Sequence, residues 1–140
     1  MTGRKIDLEA EIDATHKEIL DMFPKDLLKL DDIPALRAAI KSEPVDFPEN
    51  VLVEDVMIPG LNNDPDVKVR LYKPIDLAKE SPCLLWMHPG GMTIGDANME
   101  DLTSAQRAVD HSCLVASVDY RLAPENPYPS APDDCYAALL

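Results

Sequence analysis

Apolar residues change their spacing several times along this chain, and each change marks a different kind of element. From Asp7 to Phe23, Ile12, Ile19, Leu20 and Phe23 recur at helical spacing until Pro24 ends the pattern. A second, shorter helix is expected over Asp32 to Lys41. Asp32 can cap it, Pro34 suits its first turn, and Leu36, Ala39 and Ile40 share a face. The polar stretch "KSEPVDFPEN", with two prolines, then reads as a linker out of a helical segment spanning residues 1–50.

Beyond the linker the period shortens to two. "VLVEDVMI" is followed by Pro59, Gly60 and the turn-rich "LNNDPD", after which "VKVRLY" alternates Val67, Val69 and Leu71 against Lys68, Arg70 and Tyr72. That alternation predicts an antiparallel hairpin at a sheet edge, one face buried and the other wet. "CLLWM" (Cys83 to Met87) and "CLVASV" (Cys113 to Val118) are instead continuously apolar, as strands covered on both faces are. Between them Met99, Leu102, Ala105 and Val109 approximate a helical stripe, which Asn98 with Asp101 could cap. Strand, helix, strand predicts a βαβ unit with parallel strands and a right-handed crossover. A last helix is expected from the capping-box pair Ser130 and Asp133, Pro132 and the run "DDCYAALL". No closing signal follows it, and two parallel strands leave a bare sheet edge, so Leu140 is not expected to be a natural boundary.

Charge narrows the partners. Thirteen Lys and Arg stand against 26 Asp and Glu, a formal charge of −13, which opposes binding to nucleic-acid backbones or anionic membranes. No apolar run approaches the roughly 20 residues of a bilayer span, and the N-terminus has no signal-peptide pattern, so a cytoplasmic protein is expected. Cys83, Cys113 and Cys135 are odd in number, lack C-x-x-C spacing and sit among apolar neighbours. They are expected to be buried free thiols and not disulfide or metal ligands.

The candidate chemistry lies in "MHPGGMTIGD", Met87 to Asp96, directly after the first buried strand. A glycine pair there allows the backbone to approach a ligand closely and aim N–H groups at it. Such donors suit the oxyanion of acyl transfer, and each is worth on the order of 3 kcal/mol in the barrier. A plain strand-to-loop turn would use glycine equally well, and these residues alone leave both readings open. The spacing is not that of a phosphate-binding loop.

A second block bears on the choice. "VDYRLAPENPYPSAPDDCYAAL" (Val118 to Leu139), together with "HPGG" and Gly95, resembles the hormone-sensitive-lipase-like branch of the α/β-hydrolase superfamily, whose members carry H-G-G-G-x-x-x-G and D-Y-R-L-A-P-E-x-P-[FY]-P. The resemblance covers roughly Leu71 to Leu140. It implies an α/β fold class: residues 1–50 form a cap-like helical segment, and residues 51–140 the N-terminal portion of the hydrolase domain, an edge hairpin plus one βαβ unit in an incomplete sheet. It also implies that Gly90 and Gly91 donate their N–H groups to an oxyanion and that His88 shapes the loop without acting as base. Met92 would line the acyl pocket, while Asp119, Tyr120, Arg121 and Glu125 would be scaffold. Pro89 departs from the motif, replacing its first glycine, and so removes one N–H.

The nucleophile of that family is a serine in G-x-S-x-G, followed later by an acid and a histidine. Here Ser42, Ser81, Ser104, Ser112, Ser117 and Ser130 all lack such flanking glycines. His16 and His111 lie on predicted helices upstream of where the nucleophile would come. The resemblance therefore implies a serine carboxylester hydrolase without cofactor, acting on small-molecule esters of short-to-medium acyl length, whose triad lies outside these 140 residues. Residues 1–140 alone are then expected to be inactive. The alternative is a ligand-binding protein, because the family's relatives include plant hormone receptors that keep the fold and pocket.

Overall fold

The structure, a computed structural model, describes Asp13, residues 32–40 and residues 44–140. Apart from Asp13, the helix expected over Asp7 to Phe23 lies outside the described residues. In chain order the elements are α1 (Ile33–Ala39), β1 (Val51–Ile58), β2 (Val67–Pro74), β3 (Cys83–Met87), α2 (Asp101–Asp110), β4 (Leu114–Asp119) and α3 (Ser130–Leu139). The sheet order is β1-β2-β4-β3: β2 is antiparallel to both β1 and β4, whereas β3 and β4 are parallel. Both the edge hairpin and the parallel pair are therefore as the periodicity implied. The short helix α1 also forms as expected, with the Asp32 carboxylate accepting from Ala35 N–H at 3.0 Å and Leu36 buried.

The alternation in β2 was expected to leave one wet face, and the structure corrects this. Val67 faces a core with Val118, Tyr120, Ala131 and Ala137 under α3, and the buried Val69 lies opposite Val118 in the register. On the opposite face α2 covers Tyr72, which joins Val51, Ala105, Ala108, Cys113 and Val115 in a second core and is fully buried. The charges beside Tyr72 are matched across the register. Arg70 lies opposite Asp55 and pairs with it at 2.9 Å, while Lys68 lies opposite Asp119 and pairs with it at 2.7 Å. Asp101 on α2 completes the seal, accepting from Tyr72 Oη at 2.6 Å and from Arg70 Nε at 3.0 Å. Burial, then the hydrogen bond to Asp101, pushes the Tyr72 hydroxyl well above the ordinary phenol range. The polar face of this amphipathic strand is thus buried at Tyr72 and half-covered at Lys68 and Arg70, because a helix brings a carboxylate to it.

The expected stripe on α2 changes accordingly. Asp101, Ser104, Ala105 and Ala108 are buried, whereas Leu102 faces outward. Small residues let the helix lie close to the sheet, where a leucine stripe would hold it off. The expected side-chain caps on α2 and α3 do not form; Asp96, not Asn98, closes the turn before α2 by accepting from Asn98 N–H. Strand β3 is half-buried and Cys83 is exposed, because only β4 pairs with it among the described residues. Cys113 is buried and Cys135 partly so.

Candidate active site

The carboxyl ends of the parallel strands β3 and β4 lie side by side, the place where open α/β sheets bind ligands. From β3 the chain enters a loop in which Gly90, Gly91, Met92 and Gly95 all have positive φ, at 131°, 60°, 59° and 97°. A Cβ on Gly90 would collide with the Ile94 carbonyl oxygen, so the turn can close only on glycine.

Three carbonyls set the direction of the N–H groups in this turn, because C=O and N–H point opposite ways across a trans peptide plane. His88 Nδ1 lies 2.9 Å from Pro89 O; a carbonyl only accepts, so Nδ1 carries the hydrogen. Pro89 O is thereby held on one side and Gly90 N–H on the other. Gly90 O accepts from Thr93 N and Ile94 N, each at 3.1 Å, which turns Gly91 N–H away from the closed turn. The Thr93 hydroxyl in turn donates to Gly91 O at 3.2 Å. Among the described residues neither Gly90 N–H nor Gly91 N–H has a hydrogen-bond partner. They are two adjacent donors, fixed in direction and left free.

His88 and the second block hold this loop from below. The His88 ring is buried and stacked on Tyr120, with centroids 4.1 Å apart and planes within 5°. Tyr120 Oη donates to His88 O at 2.7 Å, and burial raises the phenol above its ordinary value. His88 Nε2 is buried without a partner among the described residues. Asp119 accepts from Ala97 N–H at 3.1 Å, anchoring the far end of the loop. Arg121 forks onto the buried Asp134 through Nε and Nη2 and reaches Asp64 at 2.8 Å. Those hydrogen bonds, to Asp134 foremost, hold the guanidinium proton more tightly still.

A pocket of about 180 Å³ opens beside the glycine pair, lined by Met87, His88, Gly90, Met92, Ala131 and Cys135 among others. Met92 sits at its half-exposed mouth, and its carbonyl accepts from Ala123 N–H at 2.8 Å. Burial, then the adjoining Asp134 carboxylate, pushes the Cys135 thiol up to about 11. A raised thiol pKa contributes stability below the unfolded-state value of 9.0 and loses it as pH rises through about 11. Urea titrations across that window should therefore show stability falling with pH, and Cys135→Ala should flatten the decline.

The structure gathers His88, Gly90, Gly91, Met92 and Tyr120 at one pocket and places Asp119, Arg121 and Glu125 in the contacts around it. Sequence reasoning missed three participants. Thr93 is an unmarked position within the loop. Asp134 is the second of two adjacent aspartates, and nothing in the sequence says which one turns inward. Arg37 stood on α1 among residues read only for their apolar face, yet it binds Thr93 O, Ala123 O and Glu125. Ser104 and Ser117 are buried, and His111 is exposed at the end of α2. Among the described residues no cluster of His, Cys, Asp and Glu is arranged to hold a metal ion, and no helix is long and apolar enough to cross a membrane.

Comparison with known proteins matches residues 84–140 to the family of the α/β hydrolase fold. The chain is 36% identical over 132 residues to the carboxylesterase NlhH of Mycobacterium tuberculosis, covering 92% of this chain and 41% of that relative. It is 38% identical over 137 residues to the esterase LipI of the same organism, covering 94% and 42%. Among solved structures, a bacterial heroin esterase superposes with a TM-score of 0.74 at 36% identity, over 91% of this chain and 41% of that one. The chain thus spans about two fifths of the length of the relatives it matches.

Proposed function

We propose, from a chain that carries the α/β-hydrolase fold of the hormone-sensitive-lipase-like esterases, that residues 1–140 supply the oxyanion-binding part of a serine carboxylester hydrolase. The observation that carries this reading is the pair of N–H groups on Gly90 and Gly91, without a partner among the described residues, fixed from behind by Pro89 O and Gly90 O and set beside a largely apolar pocket.

When a nucleophile attacks an ester carbonyl, negative charge collects on the former carbonyl oxygen. Two amide donors already aimed at that position stabilise the transition state without reorganising, each by on the order of 3 kcal/mol. His88 serves here as a strut, since its Nδ1–H is committed to Pro89 O and its ring to Tyr120. Met92 and Cys135 offer the apolar wall against which a short-to-medium acyl group would rest. Tyr120, Asp119 and Arg121 hold the strand ends, and Glu125 holds Arg37. The serine nucleophile, acid and base come from chain outside these residues. The route is a Ser-His-Asp acyl-enzyme cycle that requires no cofactor, in a cytoplasmic protein.

The test is hydrolysis of p-nitrophenyl acetate and butyrate by the complete native protein, with and without a serine-directed fluorophosphonate. Turnover abolished by the fluorophosphonate is expected, whereas residues 1–140 alone should leave the ester at its buffer rate. Ester binding with no serine-dependent turnover in the complete protein would overturn the reading. A rate from residues 1–140 comparable to that of the complete protein would overturn the assignment of the triad elsewhere.

A further inference from the structure

We propose that Arg37 is a positioning residue that sets the orientation of the oxyanion loop from helix α1, an inference that rests on the esterase reading above. Four hydrogen bonds define its place. Arg37 Nε donates to Thr93 O at 2.9 Å, and Nη2 donates to Ala123 O at 2.7 Å. Nη1 and Nη2 donate to the two Glu125 carboxylate oxygens, both at 2.9 Å. One planar guanidinium thus spans the loop after β3 and the segment after β4, beside the bonds from Ala123 N–H to Met92 O at 2.8 Å and from Tyr120 Oη to His88 O at 2.7 Å that also join them.

The route from Arg37 to the donors is short and made of named bonds. Thr93, whose carbonyl Arg37 holds, gives its N–H to Gly90 O and its hydroxyl to Gly91 O. Gly90 O shares a peptide plane with Gly91 N–H, and Gly91 O shares one with Met92 N–H. Rotation of Thr93 therefore swings the Gly91 donor. Arg37 is anchored in turn: Leu36 beside it is buried, and Asp32 caps the helix.

The fork contributes little as a stabilising ion pair. Glu125 is exposed, at 57% for its side chain, and such pairs are screened by water. The side-chain hydrogen bonds from Arg37, and after them a backbone hydrogen bond at Glu125 itself, hold the Glu125 carboxyl below its usual value. What the fork supplies is geometry: two carbonyls and a carboxylate met in one plane, which a lysine ammonium cannot reproduce. A contact that weighs little in stability and acts through Thr93 should show itself in turnover, since misplacing a reacting or stabilising group by about 1 Å can cost about 100-fold in rate.

The test uses the complete native protein and three variants, Arg37→Ala, Arg37→Lys and Glu125→Gln, read by amide hydrogen exchange and by kcat and KM on p-nitrophenyl butyrate. Arg37→Ala should speed exchange in residues 90–95 roughly tenfold or more while β1 and β2 keep their protection. Its kcat should fall about 100-fold with KM little changed, and added guanidinium ion should restore part of the loss. Arg37→Lys should behave like the alanine variant. Glu125→Gln should lose far less, because both backbone carbonyls keep their donor. Unchanged exchange at 90–95 with unchanged kcat in Arg37→Ala would overturn the proposal, and so would full function in Arg37→Lys. If the wild-type protein hydrolyses no ester, the esterase reading fails on its own, and exchange at 90–95 still decides whether Arg37 clamps the loop.

Discussion

Replacing Arg121 by methionine should lower the unfolding free energy by about 3–5 kcal/mol, because it strands a buried carboxylate. Asp134 is 1% exposed and sits in the core side of α3. Its oxygens are met by Arg121 Nε at 3.0 and 2.9 Å, by Arg121 Nη2 at 2.7 Å and by the Arg121 backbone N–H at 2.8 Å. Methionine keeps the bulk and the backbone N–H but removes the charge, leaving one neutral donor for a carboxylate out of water. Methionine at 121 combined with Asp134→Leu should recover most of the loss, because replacing both members of a buried pair by apolar residues is often close to neutral. Urea denaturation of wild type, single and double variants measures both. A loss below about 1 kcal/mol for the single variant would mean that the pair behaves as a surface ion pair.

Gly90→Ala should remove nearly all ester turnover, a fall in kcat of about 10²- to 10³-fold, the size expected when a preorganised oxyanion donor is lost. The backbone at φ +131° is one that L side chains avoid, and a Cβ would strike the Ile94 carbonyl oxygen. The turn must then open, and with it go the bonds from Thr93 and Ile94 to Gly90 O that aim the Gly91 donor. Gly91→Ala is the informative contrast. At φ +60° it lies in the left-handed region, which costs roughly 1–2 kcal/mol, but a Cβ there meets nothing within 4 Å. It should keep the loop and most of the rate. Equal losses at the two positions would mean that the collision with Ile94 is relieved locally and that the turn geometry is not what sets the rate.

Which parts of this molecule the sequence disclosed follows from where the information sits. The hairpin β1–β2 and the parallel pair β3–β4 were legible, because a period of two and unbroken apolar runs are local properties of the chain. The cap of α1 was legible for the same reason, since Asp32 and Ala35 are three residues apart. The glycine pair announced a special turn and, joined to the second block, a family.

What escaped was set by which element covers which face. Tyr72 looked wet because nothing in "VKVRLY" says that α2 will bring Asp101 against it across 29 residues of chain. Leu102 looked like core because helical spacing cannot say that alanines and a serine will form the closer packing face. Cys83 looked buried because an apolar run does not say how many neighbours its strand has. Arg37 was invisible as part of the site for the same reason: its partners are 56 to 88 residues away.

In the function proposed above, the N–H groups of Gly90 and Gly91 receive the oxyanion of an acyl-transfer reaction. The most direct measurement follows their backbone amide resonances in the complete native protein as a fluorophosphonate is added. Its phosphonyl oxygen, once the group is bonded to the nucleophile, occupies the place of the charged carbonyl oxygen. Both amide protons should move downfield together with stoichiometric labelling, while amides of β1 and β2 stay in place. Complete labelling with the Gly90 and Gly91 resonances unmoved would contradict the claim.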